Sequence, residues 1–455
     1  MSSLLQIGYS GLQAMQMALS TSGQNVANVN TPGYSRLTPN LHSLAAHGTL
    51  SAGGGVEVSN IERLSNDFQN QQLWRATSEL GFHDIKQQYL TALEGLLDSE
   101  GSSISVGLDN FFAALSEAAA TPDSIVLRQQ VMNEAEQLGQ RFNGLNGNIQ
   151  AQVEALQGQR TAVVGQVDTM AANLADLNKR IVELESGSRD TATLRDHRDN
   201  LIKQLSEHLD IRVESRADGA LNVSLANGQP LVVGSTSATM EIQRTDTGEQ
   251  AMSLRLADTA FRLNGDDLGG ALGALHDAEY GSLRPVQDDL HDMARQLTDE
   301  VNGLLASGYD LDGAAGESLF AYDPNSITGM LKTNALTPEQ LAFSDAAGEV
   351  GNNGVLLELL DLKSTTISVA GSDVTLNDAY AGVVGRVASI SRQNQSDLQS
   401  AQTVADEAQA QRDSVSAVNL DEEAINLMAY NQAYQANMKV ISTADRLLQE
   451  LMAMF

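Results

Sequence analysis

The chain has 455 residues, no cysteine and a formal charge of −31, from 58 acidic against 27 basic side chains. That balance excludes non-specific binding to nucleic acid, which needs a basic surface, and the missing cysteines exclude a disulfide frame, thiol catalysis and Cys-ligated zinc. Hydrophobic residues at 42% are enough for a packed core, and the length predicts two to four domains, with no run near the ~18 apolar residues of a membrane span.

Residues 1–35 contain no Asp, Glu, Lys or Arg, and residues 424–455 hold only Lys439, Asp445, Arg446 and Glu450. In the first segment Leu4, Gly8, Leu12, Met15, Leu19 and Val26 recur on one helical face, and the opposite face is Ser, Gln, Asn and Thr. The helix is expected to end near Asn25–Asn28, before the turn Asn30-Thr31-Pro32-Gly33. Gly53-Gly54-Gly55 marks a second loop. Helical spacing resumes from Ile61 to Leu97 and breaks at Glu100-Gly101-Ser102, and a short helix is predicted over about 104–119. Thr121-Pro122-Asp123 reads as a helix start, with Thr as cap and Pro in the first turn. In the helix expected over 123–186, Val153, Leu156, Arg160, Val163, Val167, Met170, Leu174, Leu177, Ile181 and Leu184 keep coiled-coil spacing with one polar member. Gly187 is its expected stop, and Thr191 or Thr193 starts another helix through Leu209.

After Asp210 the period becomes two. Ile211 and Val213, then Leu221, Val223 and Leu225, then Leu231 and Val233 alternate with polar residues; Met240 with Ile242, Leu254 with Leu256 and Phe261 with Leu263 follow. Asp218-Gly219, Asn227-Gly228, Thr247-Gly248 and Asn264-Gly265 separate them as hairpin signals. Helix is predicted again at about 282–306, mixed structure with a strand at Thr366–Val369 over 308–375, a long helix from Leu376 to Asp413, and a last one from Leu420. There Leu420, Leu427, Tyr434, Ile441, Leu448 and Phe455 fall every seventh residue.

The expected fold is mainly α with a β domain: an elongated multi-domain molecule with its terminal helices paired in a coiled-coil-like core, a long helical bundle, and a small antiparallel β domain inserted at the far end. The predicted divisions are 1–60 (terminal helix and loop), 61–209, 269–307 and 376–416 (helical domain), 210–268 (β domain), 308–375 (mixed outer region) and 417–455 (terminal helix).

Catalytic patterns are missing from the sequence. The seven His form no H-E-x-x-H, and Gly8-Tyr9-Ser10-Gly11 continues with Leu12 where a nucleophile elbow needs Gly. Asp310-x-Asp312-Gly313 resembles the start of a calcium loop, but Ala315 and Ala321 occupy the positions that need Gly and Glu. The expectation is a protein that is not an enzyme and holds neither metal nor cofactor. The uncharged back of each terminal helix is the unusual feature, because an ordinary surface helix carries Lys and Glu there. A helix repeated around a ring would set like charges side by side, and a neutral face avoids that cost.

NVANVNTPGYSR (25–36) resembles the N-terminal signature of the flagellar rod, hook and hook-associated axial proteins, and VNLDEEAINLMAYNQAYQANMKVISTADRLLQELM (418–452) resembles their C-terminal signature. Asp421-Glu422-Glu423 and the internal stretches RDHRDNLIKQLSEHL (195–209), DGALNVSLANGQPLVVG (218–234) and GYDLDGAAG (308–316) resemble the hook-associated junction branch of that family. The resemblance implies a structural, non-catalytic role in the bacterial flagellum. Copies would form a homo-oligomeric ring as the junction layer between hook and filament, with the hook protein below and hook-associated protein 3 above. It implies type III export without a cleaved signal, a cytoplasmic stage held by an export chaperone, and a final extracellular place. Hook-associated protein 3 itself or another axial component is the nearest alternative, and a secreted adhesin a further one. The assembly interface is expected at Leu4, Gly8, Leu12, Met15, Leu19, Val26, Asn28, Asn30, Pro32, Gly33 and Tyr34. The C-terminal assembly and chaperone interface is expected at Leu420, Leu427, Tyr434, Ile441, Leu448 and Phe455. An isolated helix bearing Gly8, Gly11 and Gly23 is marginal in water, so both ends are expected to order on joining the tube.

Overall fold

The computed structural model describes residues 2–45, 53–99, 101–187, 189–245, 248–369 and 371–454; Glu100, Thr247 and Phe455 lie outside the described residues. Helix α1 (Ser2–Ala27) stops before the Asn30–Gly33 turn, where Gly33 takes the left-handed backbone (φ 79°) that favours glycine. Strands β1 (Leu37–Leu44) and β2 (Gly55–Arg63) then form an antiparallel hairpin. This corrects two expectations: the segment after the turn is more than loop, and residues 61–63 are strand instead of helix. Val56 and Val58 alternate with polar neighbours, a strand signal that the helical spacing downstream obscures. Helix α2 (Asp67–Asp98) starts after Asn66, whose side chain accepts the Phe68 and Gln69 amides.

Helix α3 (Ile104–Ala120) matches its expected span. Helix α4 (Ile125–Ser186) has 62 residues, roughly 93 Å at ~1.5 Å per residue. Its cap is Ser124, which accepts the Leu127 amide. Thr121 instead closes α3, and Pro122 sits in the turn between the helices, where its carbonyl accepts the Arg128 guanidinium at 2.6 Å. The buried row of α4 passes through Val153, Leu156, Arg160, Val163 and Val167 as expected, then through Ala171, Leu174, Asn178 and Ile181; Met170, Leu177 and Leu184 are only half-buried. A straight helix drifts away from a strict seven-residue repeat in this way.

Helix α5 (Ala192–His208) leads into a four-stranded antiparallel sheet of β3 (Ile211–Ser215), β4 (Leu221–Leu225), β5 (Pro230–Val233) and β6 (Thr236–Ser237). A three-stranded sheet follows, of β7 (Thr239–Arg244), β8 (Gln250–Leu256) and β9 (Thr259–Arg262). Gly219 and Gly228 turn two hairpins at φ 84° and 88°. Two details differ from expectation. A register shift at Val223/Ser224 buries Val232 and exposes Val233. Asn264-Gly265 closes no hairpin and opens a 3-10 turn, while β8 and β9 turn at Ala257 (φ 48°).

Helix α6 (Gly270–Asp277) runs through a π-helical segment, Ala278–Leu283, into α7 (Arg284–Ser307), so helix returns earlier than the expected 282. Residues 308–375 are mixed. They contain β10 (Phe320–Tyr322) paired with β11 (Leu331–Thr333), the unforeseen α8 (Gly354–Asp361), and β12 (Ile367–Val369) paired with β13 (Ser372–Val374). The carboxylate of Asp310 accepts the Asp312 and Ala314 amides, so the calcium-like segment is a self-capped turn. Helices α9 (Leu376–Ser416) and α10 (Leu420–Met452) complete the chain.

The nesting is explicit: α9 lies along α2, and α10 along α1. One hydrophobic cluster runs from Trp74 to Val387 and joins helical and sheet residues; among the described residues α1 and α10 contribute none of its members. No helix among the described residues is long and apolar enough to cross a membrane.

Candidate assembly surface on the terminal helices

Helix α1 meets α10 through small residues. Gly8, Gly11, Ala14 and Ala18 are buried, and a Cβ at Gly8 would lie 2.9 Å from Ile441 Cγ1, one at Gly11 2.5 Å from Asn437 Oδ1. These contacts run the helices antiparallel. The expected stripe flanks this seam: Leu12, Met15, Leu19 and Val26 are half-buried and Leu4 is exposed. On α10, Leu427, Tyr434 and Ile441 are half-buried on the side of Asn437, whereas Leu420 and Leu448 are exposed and Phe455 is outside the described residues. The outward face of α1 shows Gln6, Tyr9, Gln13, Gln16, Met17, Ser20 and Gln24, all exposed and uncharged. Ser10 serves structure: its hydroxyl donates to the Ile7 carbonyl (2.9 Å) and accepts the Val56 amide (3.2 Å), tying the hairpin to α1.

The loop after α1 forms a joint with the helical body. Asn25 is 1% exposed, and its side chain both donates to and accepts from the Leu37 backbone at 2.9 Å. It also donates to Glu423 (3.1 Å) and accepts the Tyr34 hydroxyl (2.9 Å). Arg36 pairs with Glu422 (2.5 Å) and buried Glu423 (2.8 Å), while Arg63 pairs with Asp196 and Asp199 of α5, each at 2.6 Å. From α9, Arg412 donates to the Gly33 carbonyl and the Ser35 hydroxyl, both at 3.2 Å. Burial, with Asp196 and Glu423 nearby, pushes the Tyr34 hydroxyl up to about 12, so it stays a neutral donor. Asn28 closes the loop, donating to the Gln24 carbonyl (2.9 Å) and accepting the Thr31 hydroxyl (3.2 Å); Asn30 and Pro32 stay exposed. The hydrophobic stripes gave no hint of Asn25, Arg36 or Glu423; all three lie within the signature segments 25–36 and 418–452 without being named as interface residues there.

A second buried ion cluster stiffens the body. Arg160, fully buried on α4, pairs with fully buried Glu279 (2.7 Å) and donates to the Leu275 carbonyl (3.0 Å); Arg284 and Gln157 complete the Glu279 carboxylate. The π-helical segment carries Glu279 into this position, which accounts for Arg160, the one polar member of the row expected from the sequence. Among the described residues no group of three or more His, Asp or Glu is placed to hold a metal ion.

A family profile described as the helical domain of the flagellar hook-associated protein FlgK matches residues 90–320. The chain belongs to the flagellar hook-associated protein FlgK family. It is a structural, axial flagellar protein. The two terminal segments match profiles shared more widely: residues 5–34 that of the flagella basal body rod protein, and residues 409–454 the C-terminal region of the flagellar basal body rod FlgEFG proteins. FlgK-family relatives align end to end. Flagellar hook-associated protein 1 of Salmonella typhimurium is 26% identical over 554 residues, covering 99% of this chain and all of that protein. Its Bacillus subtilis counterpart is 25% identical over 492 residues, with 98% and 97% covered. In fold, the chain is similar to the flagellar hook junction protein FlgK from Burkholderia pseudomallei, with a TM-score of 0.66 at 16% identity over 75% of this chain and 99% of that one.

Proposed function

We propose that this protein forms the junction layer between hook and filament, as a ring of identical copies whose terminal helices pack against one another around the axial channel. The observation that carries this reading is the exposure of α10. Of its 33 residues only Glu423 and Ala444 are buried, while Ile425, Met428, Leu447, Leu451 and Met452 lie open to solvent. Burying such side chains yields ~25 cal/mol per Å2, and a free subunit forgoes that gain. In the ring, residues 1–60 and 417–455 form the inner part and the body from α2 to α9 surrounds it. Loop residues Asn30 and Pro32 join the interface, and Gly33 and Tyr34 hold the loop in place. The hook protein lies on one side and hook-associated protein 3 on the other. Before type III export, a cytoplasmic chaperone covers the open face of α10.

Cells lacking the gene test this directly. The expected result is bare hooks with unpolymerised filament protein in the medium, restored by the wild-type gene and not by one with α10 removed. Normal filaments in the deletion strain would overturn the reading.

A further inference from the structure

With no cysteine in the chain, its sulfur is confined to 13 methionines. Among the described residues they divide by place. In the body, Met240, Met252, Met293 and Met330 are at most 5% exposed, and Met132 and Met170 are half-buried. On the terminal helices Met17, Met428, Met438, Met452 and Met454 are exposed at 46%, 61%, 49%, 71% and 84%, while Met15 is half-buried. The body is much the larger surface, yet none of the exposed methionines among the described residues lies on it. Met17 stands on the uncharged outward face of α1. Met438 follows Asn437, which meets Gly11, so it sits at the edge of the contact between the two helices. With Gly8 beside Ile441, α1 starts level with about residue 448, and Met452 and Met454 reach past it.

We infer that these five methionines are an oxidation site, through which a peroxide controls whether the free subunit can join the ring. The inference rests on the ring reading above and adds its regulation. A thioether packs well on an irregular apolar surface, which accounts for methionine here in its reduced form. In a chain without thiols it is also the sulfur left open to oxidants, and access decides which sulfur reacts. A sulfur lone pair attacks one oxygen of hydrogen peroxide. The S–O bond forms as the O–O bond breaks, sulfur gives up two electrons, and the other oxygen leaves as water with the proton of the transferred one. The product sulfoxide is polar and chiral. In the free subunit its oxygen stays hydrated, so the fold tolerates it. Between subunits the same oxygen must find a donor or lose its hydration, and the apolar contact loses its gain. The four sealed sulfurs of the body do not react, so oxidation acts on joining and leaves the core alone. Methionine sulfoxide reductases remove the oxygen again, which makes the block reversible.

Treating the purified full chain with dilute hydrogen peroxide and mapping its peptides by mass spectrometry tests this. Met17, Met428, Met438, Met452 and Met454 are expected to gain one oxygen each and Met240, Met252, Met293 and Met330 none, with the urea unfolding midpoint unchanged. Oxidation spread evenly over both groups overturns the site. The oxidised chain is then added to isolated hooks from cells lacking the gene. Its occupancy is expected to fall about tenfold, the effect of one buried acceptor without a partner, and to return after treatment with reductases of both sulfoxide epimers. A chain with all five methionines replaced by leucine is expected to occupy hooks equally before and after peroxide. Undiminished occupancy by the oxidised wild type, no recovery with the reductases, or an equal loss in the leucine variant overturns the inference. Untreated wild type that leaves the hooks bare overturns the ring reading itself, and the inference with it.

Discussion

Gly8 and Gly11 set the distance between the terminal helices. Alanine at Gly11 would improve helix propensity by ~1 kcal/mol, but its Cβ must displace the Asn437 amide, a flexible side-chain end, so a small net change is expected. Gly11→Leu has no such escape and should separate α1 from α10, read as faster proteolysis within residues 2–27 at unchanged stability of the body. In the body, Arg160→Met strands Glu279 with Arg284 as its remaining cation. A loss of about 3 kcal/mol is expected in urea unfolding, with partial recovery on adding Glu279→Gln; an unchanged midpoint would show that the pair is dispensable. Acid should weaken the fold. Burial holds His208, His276 and His291 below the ordinary imidazole value of 6.5. Their neutral forms are the ones the fold accommodates, so this stability is complete above pH 6.5 and is lost as pH falls through the lowered values. Glu279 has the same sign further down: burial raises it, Arg160 and Arg284 outweigh burial, and the net shift is downward from 4.5. Asp168, Glu207 and Asp210, raised by burial, act in the opposite sense. The melting temperature should therefore fall more steeply below pH 6.5 in the wild type than in a variant with His208, His276 and His291 replaced by Gln; equal slopes would contradict the assignment.

Among the elements, the clasp joining α1 to the body is the part most open to test. Arg63 is largely buried between Asp196 and Asp199, and burial lowers its pKa less than the two carboxylates raise it. Arg63→Ala leaves those anions facing each other, and the β1–β2 hairpin should exchange its amide hydrogens faster while α3 and α4 are unaffected. Element by element, helix periodicity was readable wherever a helix buries Leu, Ile or Val on one side, as in α3 and the middle of α4. The hairpin was hidden because its strands bury none of their side chains, so selection left only a weak alternation. The pairing of α1 with α10 was legible, but not all of its contacts: Gly11 meets Asn437, and such residue types read as a solvent face. The same ambiguity drew attention to Leu4 and Leu448, which are exposed, and away from Asn25, which is buried. The seven-residue repeat in α10 located the seam, and the expected partner, the first helix, is the one that fills it.

On the scale of the molecule, the body owns the hydrophobic core and the terminal pair lies apart from it. Limited proteolysis of the free protein should cut first in residues 28–36 and 417–420 or within the terminal helices, leaving a resistant fragment from about α2 to α9. Terminal helices as resistant as α4 would show that they are stable before assembly. The nested order was legible from the sequence because the pattern changes from period 3.6 to 2 and back; the shared core of sheet and helix was not, because periodicity reports which face is buried and not what buries it.

Pairing the first helix with the last has a kinetic corollary. Gly8 and Ile441 are separated by nearly the whole polypeptide, and closing a loop of roughly 400 residues costs about 2–3 kcal/mol more than closing one of roughly 20. Once the body has folded, the Arg36 amide meets the Ser416 carbonyl at 2.8 Å, and the two ends leave from neighbouring points. The long loop has then become a short one. The terminal helices are accordingly the last to zip together, and whichever end is made or delivered first stays single until the other arrives.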